Sequence, residues 1–169
     1  MSVVHCFPPV ADAAACRLIL GSMPGRASLQ ADRYYAHPRN AFWRIMGDLL
    51  GAGPDLPYGE RLEKLQAAGI ALWDVIAACR RDGSLDADIV GGSVAVNDFA
   101  AFFAAHPAIS RVYFNGAAAE AAFRRRVLPG LAGMPLQLFR LPSTSPAHAA
   151  RSYAEKLAAW STLLMPPDM

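Results

Sequence analysis

The chain has 169 residues, 54% of them hydrophobic and 18% charged, with a formal net charge of +2. That length suits one domain, expected over residues 1–169, and so apolar a composition excludes a disordered chain. No apolar run approaches the ~18 residues needed to cross a bilayer, and the opening MSVVHCFPPV lacks the basic stretch and apolar core of a signal peptide. Three widely spaced cysteines, Cys6, Cys16 and Cys79, suggest neither a disulfide framework nor a Cys-x-x-Cys metal site, which fits a reducing cytoplasm. Lys64 and Lys156 are the only lysines. The arginines suit phosphate contacts, although a solvated surface accounts for the same charge.

In chain order, the apolar run Ala15 to Gly21 reads as a buried strand that stops at Gly-Ser. A long polar loop follows, GSMPGRASLQADRYYAHPRN, rich in turn residues and aromatics. Asn40 can cap a helix whose apolar face is Phe42, Ile45, Met46 and Leu49 and which ends at Gly51. Glu60 to Ala68 forms a second helix closed by Gly69. Ile70 to Ile76 is a second strand, and Asn97 caps a short helix bearing Phe99, Phe102 and Phe103. Arg111 to Gly116 is a third strand leading into an Ala-rich helix that ends near Leu128. Met134 to Leu141 is a fourth, and a last helix carries Tyr153, Leu157, Trp160 and Leu164 on one side. This alternation predicts an α/β fold with a parallel sheet covered on both faces. Right-handed crossovers place all strand carboxyl ends on one edge, where ligands bind in such folds. The segments expected there are Gly21–Asn40, Trp73–Asp86, Asn115–Gly116 and Pro142–His148.

These segments hold the residues with chemical potential, each with a plainer reading beside it. Gly21 to Gly25 can expose backbone N–H groups to an anion or a water, or can simply turn the chain. Without a following lysine it is not a phosphate-cradling P-loop. Tyr35 can stack on a flat ring or sit in the core; Asn40 can orient a water or only cap its helix. His37, before Pro38, is expected to pack in the loop and hold it shut. The hydroxyls of Ser143, Thr144 and Ser145, just before the last helix, suit a phosphate, and they equally suit a turn. His148 can contact a phosphate or a base, or begin the helix. Arg124 to Arg126 read as a solvated helix face, whereas Arg80, Arg81 and Ser84 fall nearer the crevice. There is no nucleophile elbow and no metal-ligand spacing among His5, His37, His106 and His148.

Taken in order, "LILGSMPG", "YYAHPRNAFWRIM", "ALWDVIAACRRDGSLD", "VYFNG" and "LPSTSPAHA" resemble the uracil-DNA glycosylase superfamily, most closely its hypoxanthine-DNA glycosylase (DNA-deoxyinosine glycosylase) family. The resemblance runs from about His5 to Leu164. It implies a three-layer α/β/α sandwich around a four-stranded parallel sheet. It further implies a monofunctional enzyme that hydrolyses the N-glycosidic bond of a flipped deaminated base, above all hypoxanthine, leaving an abasic site. No cofactor, metal or iron–sulfur cluster is implied, since a four-cysteine ligand set cannot be made from three. The implied partner is DNA containing deaminated bases, met by a monomer in the cytoplasm that is nucleoid-associated through that DNA.

Because the bond breaks toward an oxocarbenium-like sugar and an anionic base, such a site must stabilise charge and place a water. The resemblance assigns the catalytic positions to Asn40, Ser22 and Ser143. Ser22 stands where superfamily relatives carry Asp, Asn or Glu, so water orientation passes to Asn40. Tyr35 would stack on the base, with Trp73, Asp74, Met23 and Asn115 completing its pocket. Pro24, Gly25, Ser28 and Ser84 would touch DNA from one side, and Ser145, His148 and Arg151 from the other. His148 departs from the family pattern, which has Asn there, and this bears on substrate preference. The alternatives are a uracil-preferring glycosylase of the same superfamily, a non-catalytic module for damaged or single-stranded DNA on this scaffold, and an α/β enzyme acting on a free nucleotide.

Overall fold

The computed structural model describes residues 3–166; the outermost ends of the expected domain, residues 1–2 and 167–169, lie outside the described residues. Four strands form the central parallel sheet: β2 (Arg17–Gly21), β3 (Ile70–Asp74), β6 (Arg111–Asn115) and β7 (Gln137–Leu141), in the order β3-β2-β6-β7. Side chains on successive strand residues point to opposite faces, and the apolar residues divide accordingly. Leu18, Leu20, Ala71, Trp73, Val112 and Phe114 pack on one face with α4 (Phe99–Ala105) and α5 (Ala117–Arg126). Ile19, Ile70, Leu72, Tyr113 and Leu141 pack on the other with α2 (Phe42–Leu50), α3 (Tyr58–Ala67) and α6 (Tyr153–Trp160). The result is the expected three-layer α/β/α sandwich. Both faces of β2 and β3 are buried, which is why they read as continuous apolar runs rather than alternating ones.

Several boundaries differ from the sequence expectation, each for a local reason. The polar stretch after β2 is not all loop: α1 (Arg26–Ala31) forms inside it and ends at Asp32 in the left-handed conformation. The run from Ile70 to Ile76 is two elements. After Asp74 the chain follows the diverging end of β2, with the Val75 and Ile76 N–H groups bonded to the Gly21 and Ser22 carbonyls. It then enters β4 (Ile76–Arg80), which pairs with β1 (Val3–His5) and β5 (Ala95–Val96) in a small antiparallel sheet that no periodicity announced. The cap of α4 is Asp98, whose Oδ1 accepts from Ala101 N. The expected cap, Asn97, instead donates its amide to the Asp74 carbonyl at 2.7 Å. The last sheet strand begins at Gln137 rather than Met134 because Gly133 and Pro135 hold the preceding residues in a turn. Among the described residues no helix is long and apolar enough to cross a membrane.

The sheet edge made by the carboxyl ends of the strands is shaped in part by a glycine with an enforced backbone. Gly116 follows β6 with φ of +97°, and a Cβ there would stand 3.0 Å from that of Ser143. Gly116→Ala is expected to destabilise the protein by about 1–3 kcal/mol, read from urea unfolding. A change below about 0.5 kcal/mol, within the usual range for uncritical surface positions, would contradict the account.

Candidate active site

From β2 the chain leaves toward β3 on one side, whereas from β6 it leaves toward β7 on the other. The crevice between the ends of β2 and β6 is thus a topological switch point, the usual ligand site of an open parallel sheet. A cavity of about 590 Å³ opens there. Gly21 and Ser22 border it from β2, Asp74 from β3, Asn115 from β6, and Ser143 to His148 from the loop after β7.

Gly21 and Asp74 are register partners. A Cβ on Gly21 would stand 2.5 Å from Asp74 Oδ1 and 2.9 Å from the Tyr35 hydroxyl, so only glycine admits both groups. Asp74 is 3% exposed, and its Oδ2 has no hydrogen-bond partner. Burial, reinforced by the nearby Asp86 charge and opposed by Arg81, pushes its carboxyl up to about 7. The Tyr35 hydroxyl is likewise buried without a partner. Burial first, then the Asp74 charge, raises its pKa. Tyr35 has φ of +54°, a conformation rare outside glycine, and one of its faces stacks on Phe42 at 4.1 Å between ring centroids.

The loop carrying Tyr35 is fastened at several points. Trp43 Nε1 donates to the Tyr34 carbonyl at 2.8 Å, Tyr58 accepts the Tyr34 N–H, and the Tyr34 hydroxyl donates to the Pro8 carbonyl. Ser28 Oγ accepts from Ala36 N, and His37 Nδ1 accepts from Arg39 N, which is the structural part expected of His37. Asn40 Oδ1 accepts from Phe42 N at 2.9 Å, at the start of α2. That bond fixes which end of the amide is oxygen and leaves Nδ2 as its donor. Asn115 is engaged at both ends: Nδ2 donates to Thr144 Oγ1 and Oδ1 accepts from Thr144 N, each at 2.9 Å. Ser143 Oγ accepts from Ser145 N, and Ser145 Oγ from Ala147 N, so the hydroxyl block also shapes its own turn. Buried His148 Nδ1 has no partner.

On the opposite wall, Arg26 N donates to Ser84 Oγ and the Arg26 guanidinium to the Asp82 carbonyl. Buried Arg81 donates to the Pro24 carbonyl. Ser22 Oγ donates to Asp86 Oδ1. These contacts bring Ser22, Met23, Pro24, Gly25, Ser28 and Ser84 to the cavity along with Tyr35 and Asn40.

Two expected residues do not line it. The Trp73 side chain turns into the core between Phe99 and Phe102 and donates Nε1 to the Phe7 carbonyl, because it alternates with Asp74 across β3. Arg151 is exposed on the turn before α6. Thr144 lines the cavity with the other two hydroxyls of its turn, and Asp86 lines it although nothing in its spacing marks it; it closes a segment assigned to the crevice edge. A neighbouring cavity shares Tyr34, Tyr35, His37 and Asn40 and is bordered by Arg33, Arg39, Arg44 and Arg61. Among the described residues no group of three or more His, Cys, Asp and Glu side chains could hold a metal ion.

Comparison with known proteins converges on one group. The Uracil DNA glycosylase superfamily matches residues 8–164. A hypoxanthine DNA glycosylase of Methanosarcina acetivorans is 37% identical over 143 residues, covering 84% of this chain and 86% of that protein. One from Methanosarcina barkeri is 40% identical over 111 residues, 65% of this chain and 69% of that protein. A Methanosarcina acetivorans protein solved by solution NMR as a candidate uracil DNA glycosylase superposes with a TM-score of 0.77 at 33% identity, covering 97% of this chain and all of that one.

The raised Asp74 pKa has a stability consequence. Between the ordinary carboxylate range and about 7, the native state holds a proton that the unfolded chain has released, so stability falls as pH rises across that window. Asp74→Asn removes the ionisable group and is expected to stabilise the fold by up to ~4 kcal/mol at about pH 8, and by much less at about pH 5. Urea unfolding at the two pH values checks this; a pH-independent difference would contradict it.

Proposed function

Because the chain belongs to the uracil DNA glycosylase superfamily, we propose that it hydrolyses the N-glycosidic bond of a deaminated base flipped out of DNA, above all hypoxanthine, leaving an abasic site. The observation that carries this reading is the cavity at the switch point, where an aromatic ring, three uncommitted buried polar atoms and a hydroxyl turn converge. Its volume of about 590 Å³ falls within the ~300–1,000 Å³ typical of small-ligand sites. Both curated relatives are named for hypoxanthine, which favours that base over uracil.

In this reading Tyr35 supports the flipped base, held in place by Phe42 behind it. Asp74 and the Tyr35 hydroxyl face the base edge. Asn40 Nδ2 donates to the water or to the developing charge on the base, while Oδ1 stays on the α2 start. Asn115 holds Thr144 and through it the hydroxyl turn, which meets the DNA backbone together with His148. The backbone on the other flank passes Pro24, Gly25 and Ser84. The guanidinium groups of Arg33 and Arg39, beside the neighbouring cavity, suit adjacent phosphates.

Purified protein is expected to create abasic sites in deoxyinosine-containing duplexes faster than in deoxyuridine- or deoxyxanthosine-containing ones, measured by alkaline strand cleavage. No cleavage of any of the three would sink the proposal, and tight binding of inosine DNA without release would identify a binding module instead.

Asn40 serves both chemistry and helix start, and the two can be separated. Asn40→Ala should lower single-turnover cleavage by roughly 10²-fold or more and stability by about 1 kcal/mol. Asn40→Asp, which keeps an acceptor for Phe42 N, should retain the stability and still lose most of the rate. Equal rates for Asn40→Asp and the unaltered protein would show that the amide donor is not used.

A further inference from the structure

Ser22 has no basicity of its own, yet its hydroxyl hydrogen is directed onto Asp86, a carboxylate that borders the same cavity. The Asp74 carboxyl borders the same cavity and is buried, with Oδ2 unpartnered. One carboxyl is thus enclosed and the other open to solvent. Paired carboxyl groups whose surroundings drive them apart in this way are the common source of an acid and a base in one site. We propose that Asp74 and Asp86 divide the proton transfers of the reaction, Asp74 giving a proton to the departing base and Asp86 receiving, through Ser22, the proton of the attacking water. This deepens the glycosylase reading above and rests on it.

The step balances. The bond from the sugar C1′ to the base nitrogen breaks, and its electron pair moves onto the base. The Asp74 carboxyl proton transfers to the base, which leaves neutral. A water oxygen bonds to C1′; one of its protons passes to Ser22 Oγ while the Ser22 hydroxyl proton moves to Asp86. Asp86 then releases a proton to solvent, and Asp74 regains one. While C1′ carries positive charge, the Asp86 carboxylate also stabilises it electrostatically. Asp74 is the catalytic residue, since it meets the base. Asp86 is a positioning residue, since it acts through Ser22.

Burial favours the neutral acid at Asp74, and the charged groups facing it act in opposite directions. Asp86 opposes its ionisation from the loop after β4, and Arg81 in the same loop opposes that effect. Tyr34 and Tyr35 from the loop before α2, and Cys6 after β1, are neutral neighbours whose own ionisation the Asp74 charge would hinder. Among the described residues no salt bridge reaches Asp74.

The test is single-turnover release of hypoxanthine from a deoxyinosine duplex across pH, using the full chain. In the unaltered protein the rate should fall as pH rises past about 7. Asp74→Asn should lower the rate by roughly 10²-fold and abolish that fall, while binding to an abasic-site duplex stays within about twofold. Asp86→Asn and Ser22→Ala should each slow release by about tenfold or more, and the double variant no further, because the two act as one unit. Carboxyl carbon NMR of the intact protein gives a second readout: the Asp74 signal should titrate near 7 and shift to lower pH in Asp86→Asn. An Asp74→Asn profile that keeps the alkaline fall, or multiplicative losses in Asp86→Asn plus Ser22→Ala, would overturn the carboxyl pair while leaving the glycosylase reading standing. Failure of the unaltered protein to release base would overturn both.

Discussion

The contact on which the site depends is the approach of the Asp74 carboxyl to a backbone that has no side chain. Gly21 and Asp74 end neighbouring parallel strands in register, and the Cβ that Gly21 lacks would lie inside the oxygen it faces. A carboxyl thereby reaches the bottom of a polar cavity without surfacing, and it has nowhere to send one of its oxygens. Desolvation without pairing favours the neutral acid over the charge, so the fold itself sets the protonation state that the proposed chemistry uses. The same vacancy admits the Tyr35 hydroxyl, which ties the aromatic to the carboxyl through one missing methyl group.

Around that point the walls are fastened to one another by bonds that bypass the cavity. Asn115 holds Thr144, Arg26 holds the loop of Ser84 and Asp82, and Arg81 holds Pro24. Tyr35 keeps a left-handed backbone because the residues beside it are bonded to Pro8, Trp43, Tyr58 and Ser28. Strained backbone of this kind persists only where the surroundings over-determine it. Dipoles fixed in advance need little reorganisation as charge develops, and a site assembled from four strand ends has that property when its loops are cross-linked.

The sandwich was legible because both sheet faces are buried by helices, which leaves continuous apolar runs at Leu18–Leu20 and Ile70–Trp73 and clear helical faces between them. The small antiparallel sheet was not legible: β1 and β5 are short and partly exposed, and β4 continues an apolar run with no punctuation except Asp74. Within the site, the residues lying next to glycines and prolines were readable, from Ser22 to Gly25 and from Ser143 to His148, because turn chemistry marks the strand ends. Trp73 faces the core rather than the pocket because it alternates with Asp74 across β3, and strand-end position alone does not say which of two neighbours points into the crevice. Asp86 was invisible since its partner, Ser22, is distant in sequence and only the fold of the intervening loop joins them.

The distribution of committed and uncommitted atoms also bears on how such a pocket can change over time. Asn115, Thr144, Ser84 and Ser28 use their polar atoms to hold loops together, so replacing any of them loosens a wall. Asp74 Oδ2, the Tyr35 hydroxyl and His148 Nδ1 hold nothing. In the proposed reading, exchanges at Tyr35 and His148 would alter what the cavity recognises without removing a loop-fastening side-chain bond, whereas an exchange at Asp74 would also remove the proposed acid.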